Sequence, residues 1–170
     1  MALTTKVQLD VAAKQTGTLD LGSSAAQIAK TYSVSLADGT AAGQADRMFS
    51  DTRTLAASAT EDLDLAGVLT DAFGATLTFA KVKAIIISAA AGNTNNVIVG
   101  GASATQFASW VGAATHTVTL RPGATLALFA GAADDTGYVS AAGSTDLLKI
   151  ANSGAGTSVS YDIVLVGTSA

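Results

Sequence analysis

Segments in which apolar and polar residues alternate recur along the whole chain. Lys6–Val11 and Thr31–Leu36 alternate in this way, and Thr117–Leu120 repeats the pattern in the second half. An alternation with a period of two is typical of a strand that buries one face. Further strands are predicted at Asp62–Leu65, Leu77–Phe79, Val82–Ile87, Asn96–Val99, Ala124–Phe129 and Ser158–Val166.

Turn signals separate these segments. Arg121-Pro-Gly123 places Pro and Gly where a type II turn requires them. Gly92–Asn96 is rich in turn formers and predicts a hairpin between the strands that flank it. Ser158–Val166 begins amphipathic and becomes apolar on both faces, which predicts a strand that is central or covered.

Helical signals are few. Ala102–Trp110 is a candidate for one short helix, and Ser23–Lys30 for a weak helical turn. About nine to eleven short strands with regular turns predict an all-β fold, a jelly-roll-like sandwich or barrel with little helix. Residues 1–45 contain few large apolar side chains and are expected to form N-terminal strands or an extended arm. Residues 46–170 are expected to form the sandwich or barrel itself.

Composition adds an expectation about assembly. Ala, Gly, Ser and Thr supply 90 of the 170 residues, and only 13% of residues are charged, against about 25% in an ordinary domain. With 49% hydrophobic residues, such a chain is expected to cover much of its surface with copies of itself or with a partner. A homo-oligomer is therefore predicted, because closed symmetry satisfies many matched contacts. A trimer is the favoured form.

Charge and hydropathy argue against other partners. The net charge is −4 and the nine Lys and Arg residues are scattered, so a nucleic acid partner is not expected. Ala84–Ala91, the longest apolar stretch, is too short to span a bilayer. Met1–Lys6 does not resemble the start of a signal peptide, so synthesis in the cytoplasm is expected. The chain has no cysteine and hence neither a disulfide nor a cysteine-based zinc site.

The triplet Asp135–Gly137 has the residue order of the catalytic loop of aspartic proteases. That chemistry needs two carboxylates that share a proton, and the chain holds one such triplet, so a symmetric dimer would be required. The flanking Asp134 and Tyr138 also depart from the protease pattern. The triplet is therefore interpreted as a polar loop.

Two acidic clusters are candidates for Ca²⁺: Asp134 with Asp135, and Glu61 with Asp62 and Asp64. Ca²⁺ takes about six to eight oxygen ligands, and neither cluster has the spacing of the D-x-D-x-D-G loop. Both are interpreted as solvated turn carboxylates, and no metal or other cofactor is predicted.

The remaining candidates also have structural interpretations. His116, the single histidine, lacks the partners of a zinc site or a Ser-His-Asp triad and is interpreted as a surface or interface residue. Trp110 with Phe107 would suit a sugar-stacking platform, but a lone Trp more often anchors a core or interface. Near Gly100-Gly101 no dinucleotide-binding glycine pattern is present.

One predicted strand, within residues 46–53, contains several charged residues. Arg47, Asp51 and Arg53 are expected on alternate sides of this strand, pairing across strands or at a subunit contact. None of these constellations predicts catalytic residues, and the protein is not expected to be an enzyme.

Five segments resemble small virion proteins of tailed bacteriophages and prophages. They are Asp51–Gly67, Asp71–Phe79, Leu120–Gly123, Asp146–Asn152 and Tyr161–Gly167. The resemblance covers residues 46–170 and includes no catalytic motif. It implies a structural component of the virion, with the major capsid protein or other virion proteins as partners.

Three function classes follow. A capsid cement or decoration protein that stabilises the head shell is favoured, because it fits the small size and low charge. A tail, spike or fibre-base component is the alternative and fits the same properties. A carbohydrate-binding module is the third, and it depends on Trp110 and the β architecture.

Overall fold

The computed structural model describes residues 2–170, and within that range every regular element is a β-strand. The predicted all-β fold with little helix is confirmed. There are fourteen strands, more than the sequence predicts, and two of them are only two residues long. They are β1 (Thr5–Leu19), β2 (Gly22–Asp38), β3 (Gln44–Ala45), β4 (Arg47–Leu55), β5 (Thr60–Asp64), β6 (Ala66–Thr70), β7 (Thr76–Thr78), β8 (Lys81–Ala89), β9 (Val97–Gly100), β10 (Thr117–Leu120), β11 (Thr125–Phe129), β12 (Tyr138–Val139), β13 (Leu147–Asn152) and β14 (Val159–Thr168).

Two antiparallel sheets form a sandwich. One has the strand order β10-β9-β13-β5, and the other has the order β11-β8-β14-β4 with β12 beside β8. The main core lies between them, because alternate residues such as Ile85, Ile163 and Ile150 point inwards from both sheets. The sheets do not close on each other, so the sandwich is formed and the barrel is not. The strand β14 is central, as predicted.

Two turns connect the sheets rather than neighbouring strands. The predicted hairpin at Gly92–Asn96 is wrong: β8 pairs with β11, β12 and β14, whereas β9 pairs with β10 and β13 in the opposite sheet. The turn at Arg121-Pro-Gly123 is confirmed, since Ala124 N donates to Arg121 O over 2.8 Å and Gly123 has a φ of +78°. This turn also passes from one sheet to the other.

Both helix candidates are corrected. Ala102–Trp110 is an irregular loop with bends, and Ser23–Lys30 lies inside β2. Thr105 within this loop adopts a positive φ, as do Gly100 and Gly101 just before it, and a helix does not tolerate such a conformation. In Ser23–Lys30, each residue has a partner on β1, so the interstrand ladder overrides the weak helical propensity.

Residues before the sandwich form a long two-stranded ribbon, called here the arm (Thr5–Asp38). Its ladder runs without a register shift from Thr5↔Leu36 to Leu19↔Gly22. Only its base is packed: Val34 and Leu36 join a second core on the outer face of the sheet that contains β8 and β14. The rest of the arm stands out from the sandwich with exposed side chains.

Candidate functional site

The Asp135–Gly137 triplet lies in an exposed turn that is closed by hydrogen bonds within the turn. The carboxylate that organises it belongs to Asp134, whose Oδ1 accepts from Thr136 N at 2.8 Å and from Gly137 N at 3.2 Å. These bonds, that from Gly137 first, lower the pKa of Asp134. Lys83 Nζ, on β8, donates to the Asp134 carbonyl oxygen at 2.6 Å. This geometry is that of a turn closed by its own side chain.

The second acidic cluster contributes to the edge of the sandwich. Glu61 accepts from Arg53 Nη1 at 2.6 Å and from the Tyr161 hydroxyl at 2.5 Å. Asp64 Oδ1 accepts from Ala66 N at 2.8 Å, so it caps the turn that leads into β6. Among residues 2–170 no group of three His, Asp or Glu side chains converges on a point where a metal ion could bind.

Arg53 joins the two sheets at this edge. Besides Glu61 on β5, its guanidinium contacts Asp51 at 3.0 Å and lies 5.9 Å from the centre of the Phe49 ring. The predicted cross-strand pairing is thereby confirmed for Arg53. Arg47 instead contacts its neighbour Asp46. The expectation of alternate sides is wrong, because residues 47, 51 and 53 are separated by even numbers and share one face of β4.

Tyr161 is buried in the core with its hydroxyl at this network. Burial first, and then the hydrogen bond to Glu61, raise the pKa of the Tyr161 hydroxyl above its ordinary value. The network therefore keeps a neutral phenol donor against a carboxylate.

The aromatic pair does not form a sugar platform. Phe107 is fully buried, Trp110 is 9% exposed, and the Trp110 indole N–H donates to the Phe107 carbonyl at 2.9 Å. The interpretation of Trp110 as a core anchor is confirmed. His116 is exposed in the loop before β10, as expected of a surface histidine. Gly100 and Gly101 both have positive φ and pass close to this loop.

The arm has one apolar face and one polar face, because cross-strand partners point to the same side of a ribbon. The apolar face carries the pairs Val7↔Val34, Leu9↔Tyr32, Val11↔Lys30, Ala13↔Ile28 and Gln15↔Ala26. The polar face carries Lys6↔Ser35, Gln8↔Ser33, Asp10↔Thr31, Ala12↔Ala29, Lys14↔Gln27, Thr16↔Ala25 and Thr18↔Ser23. Beyond the packed base, the apolar face is uncovered: Ile28, for example, is 55% exposed.

Hydrogen bonds on the polar face hold the ribbon together. Asp10 accepts from the Thr31 hydroxyl at 2.5 Å and from Gln8 Nε2 at 2.6 Å. The bond from Thr31 first, and then that from Gln8, lower the pKa of Asp10. At the far end lies the tip (Leu19–Gly22), where Leu19 is largely exposed and Leu21 fully exposed.

A groove of about 480 Å³ opens beside the base of the arm. Its apolar walls come from Leu3, Met48, Phe73 and Leu77, which belong to the segment before β1, to β4 and to the β6–β7 hairpin. The loop that carries Phe73 is fixed by Asp71, whose Oδ1 accepts from the Phe73 and Ala75 amides at 2.9 Å. Phe73 is 77% exposed at the edge of the groove.

Sequence reasoning did not find this arm face or the groove as sites. The signal for the arm is present, since Lys6–Val11 and Thr31–Leu36 both alternate and lie, to within one residue, equally far from the Asp20-Leu21 turn. The groove has no comparable signal, because its walls come from three separate parts of the chain.

Comparisons with known proteins add no relative. No family model matches the chain, and no curated protein or solved structure is significantly similar to it. No helix within residues 2–170 is long and apolar enough to cross a membrane.

Proposed function

We propose that this chain is a structural, non-enzymatic component of a tailed-bacteriophage particle, a capsid cement or decoration protein that acts as a homo-oligomer, most simply a trimer. Its partners would be other copies of the chain and the major capsid protein, and its location the virion. The resemblance of residues 46–170 to small virion proteins supports the proposal of a structural component of the virion.

The observation that carries the proposal is the uncovered apolar face of the arm. A two-stranded ribbon is marginally stable in water by itself. Yet this ribbon exposes Leu9, Val11, Ile28 and Tyr32 on a single face. A contiguous exposed apolar surface marks a site of protein interaction. An arm of this kind suits a protein that joins neighbouring subunits of a shell.

The low charge of the arm supports the same role. Three lysines and three aspartates lie within residues 1–45, so the arm has no net charge. Its apolar face carries one charged side chain, Lys30, among the cross-strand pairs. Binding through this face would depend on the burial of apolar area, at about 25 cal/mol per Å² before the cost of association.

The test compares two adjacent alanines. Ala13 lies on the apolar face opposite Ile28, whereas Ala12 lies on the polar face opposite Ala29. We expect Ala13→Asp to weaken cosedimentation of the protein with purified particles by at least about tenfold, because a buried unpaired carboxylate costs several kcal/mol. Ala12→Asp is the matched control and should bind as the wild type. Equal binding by both variants would contradict the role of the apolar face.

Copy number in the particle distinguishes head from tail. Hundreds of copies per purified particle, counted by quantitative mass spectrometry, are expected for a protein of the shell. A handful of copies would instead support the tail, spike or fibre-base component. Absence of the protein from particles would overturn the proposal.

A further inference from the structure

The exposed large apolar side chains fall almost entirely into two sets. Ten such residues are exposed within residues 2–170, and six of them belong to the arm. Met48 and Phe73 line the groove, and Val68 lines a hollow that shares Asp71 and Ala72 with it. Only Val139 lies elsewhere. The chain therefore presents an apolar projection and a recess with apolar walls, whose lining also includes Asp46, Arg47 and Asp71.

The tip of the arm cannot reach the groove of its own chain. Leu3, which lines the groove, donates its backbone N–H to Asp38 at the base of the arm. The ladder then runs without interruption through fifteen pairs to Leu19↔Gly22. At about 3.3 Å per residue, the tip stands roughly 50 Å from the base. Folding the tip back would require breaking the ladder.

We propose that the tip of one copy, with Leu19 and Leu21, inserts into the groove of a second copy, against Met48 and Phe73. This inference deepens the proposed function. It rests on that function, which requires copies of the chain to lie side by side. The occupant is a second copy because the same chain supplies both surfaces and its own tip is out of reach. The groove volume of about 480 Å³ lies within the range of roughly 300–1,000 Å³ that is typical of pockets for small ligands.

The packing of the arm supports this arrangement. Its apolar face is already an interface at the base, where Val34 and Leu36 pack on the outer sheet face. The same face continues to the tip, so the tip offers to a neighbour the face that already packs on a sheet at the base. Burial there would also stabilise a ribbon that is marginal alone.

The symmetry of the contact follows from its parts. A tip that enters a groove joins two different surfaces, which makes the contact heterologous, and such contacts form a ring when the rotation closes. Each copy gives one tip and receives one. A threefold ring of this kind agrees with the proposed trimer.

Cysteine cross-linking tests the contact directly, because the natural chain has no cysteine. Leu21→Cys and Phe73→Cys change exposed side chains, so both variants are expected to fold. A disulfide requires the two Cα atoms within about 7 Å. Mild oxidation of a mixture of the two variants should give a disulfide-linked dimer, and the double variant should give linked trimers. The control is Leu21→Cys mixed with Val139→Cys, which should give no cross-link.

A second measurement avoids any dependence on disulfide geometry. Leu21→Asp should weaken self-association at least about tenfold in sedimentation equilibrium, because it would place a carboxylate against the apolar side chains of Met48 and Phe73. Ser23→Asp, on the polar face near the tip, should associate as the wild type.

The outcomes separate this inference from the proposed function. Particle binding without a tip-to-groove cross-link, and with normal association of Leu21→Asp, would overturn the inference and leave the function standing. Cross-links formed by Leu21→Cys alone would mean that tips pair with tips and would also overturn it. A tip-to-groove cross-link in a protein that is absent from particles would support the inference and overturn the function.

Discussion

At the scale of single residues, the Tyr161 hydroxyl stabilises the fold by a hydrogen bond to a carboxylate. It donates to Glu61 at 2.5 Å at the edge where Arg53 joins the two sheets. Tyr161→Phe should lower the free energy of unfolding by about 1–2 kcal/mol, measured by urea denaturation at neutral pH. Tyr138→Phe is the control, because Tyr138 is half-buried and does not belong to the network around Glu61. An equal loss in both variants would contradict the role of the bond.

The raised pKa of Tyr161 predicts a loss of stability in alkali. The unfolded chain releases this proton near the ordinary tyrosine pKa of about 10, whereas the folded protein retains it. The stabilisation is therefore complete below about pH 10 and decreases as pH rises above it. Denaturation midpoints measured from about pH 8 to 11 should fall more steeply for the wild type than for Tyr161→Phe. Parallel curves would contradict the prediction.

Gly167 shows a steric constraint on a single residue. It lies at the register shift between β14 and β8, where an added Cβ would overlap Lys81 O and come within 2.9 Å of the Phe79 ring. Gly167→Ala should destabilise the protein by about 1–3 kcal/mol through overpacking. Gly92→Ala is the control, since apart from Gly92 and its chain neighbours no atom lies within 4 Å of the added Cβ. Thermal denaturation compares the two, and equal midpoints would refute the constraint.

At the scale of elements, the arm and the central strands differ in what protects their hydrogen bonds. The middle of β14 lies between two strands and over the main core, whereas the arm beyond its base has water on both faces. Amides of residues 9–32 should exchange with free energies of opening near zero to about 2 kcal/mol, and those of β14 near the global value. Hydrogen exchange with mass spectrometry measures both. In assembled particles the arm amides should become protected, and an arm that stays unprotected there would argue against its burial.

At the scale of the whole molecule, low charge predicts an assembly that is insensitive to salt. Nine basic and thirteen acidic side chains are spread over 170 residues, so electrostatic steering is weak. Raising salt to about 1 M, where charges are screened beyond ~3 Å, should leave most of the protein on the particle. Release at high salt, measured by sedimentation of particles, would mean an electrostatic interface and contradict the apolar contact.

The sequence by itself determined where most strands lie and which turns are local. Segments such as Lys6–Val11, Thr117–Leu120 and Val159–Val166 lie in strands because alternation is a property of neighbouring residues. The turn at Arg121-Pro-Gly123 is equally local, since proline and glycine fix its dihedral angles.

Only the tertiary structure decided which strands pair and which faces stay uncovered. The sequence around Gly92–Asn96 is typical of a hairpin, yet β8 and β9 pair with other strands in two different sheets. The sequence does not distinguish a buried Trp110 from an exposed one that could stack on a sugar. The structure shows that Trp110 belongs to the main core. The groove brings Leu3, Met48 and Phe73 together from three parts of the chain. Pairing and burial depend on competition among distant segments for the same partners, and a local pattern does not contain the result of that competition.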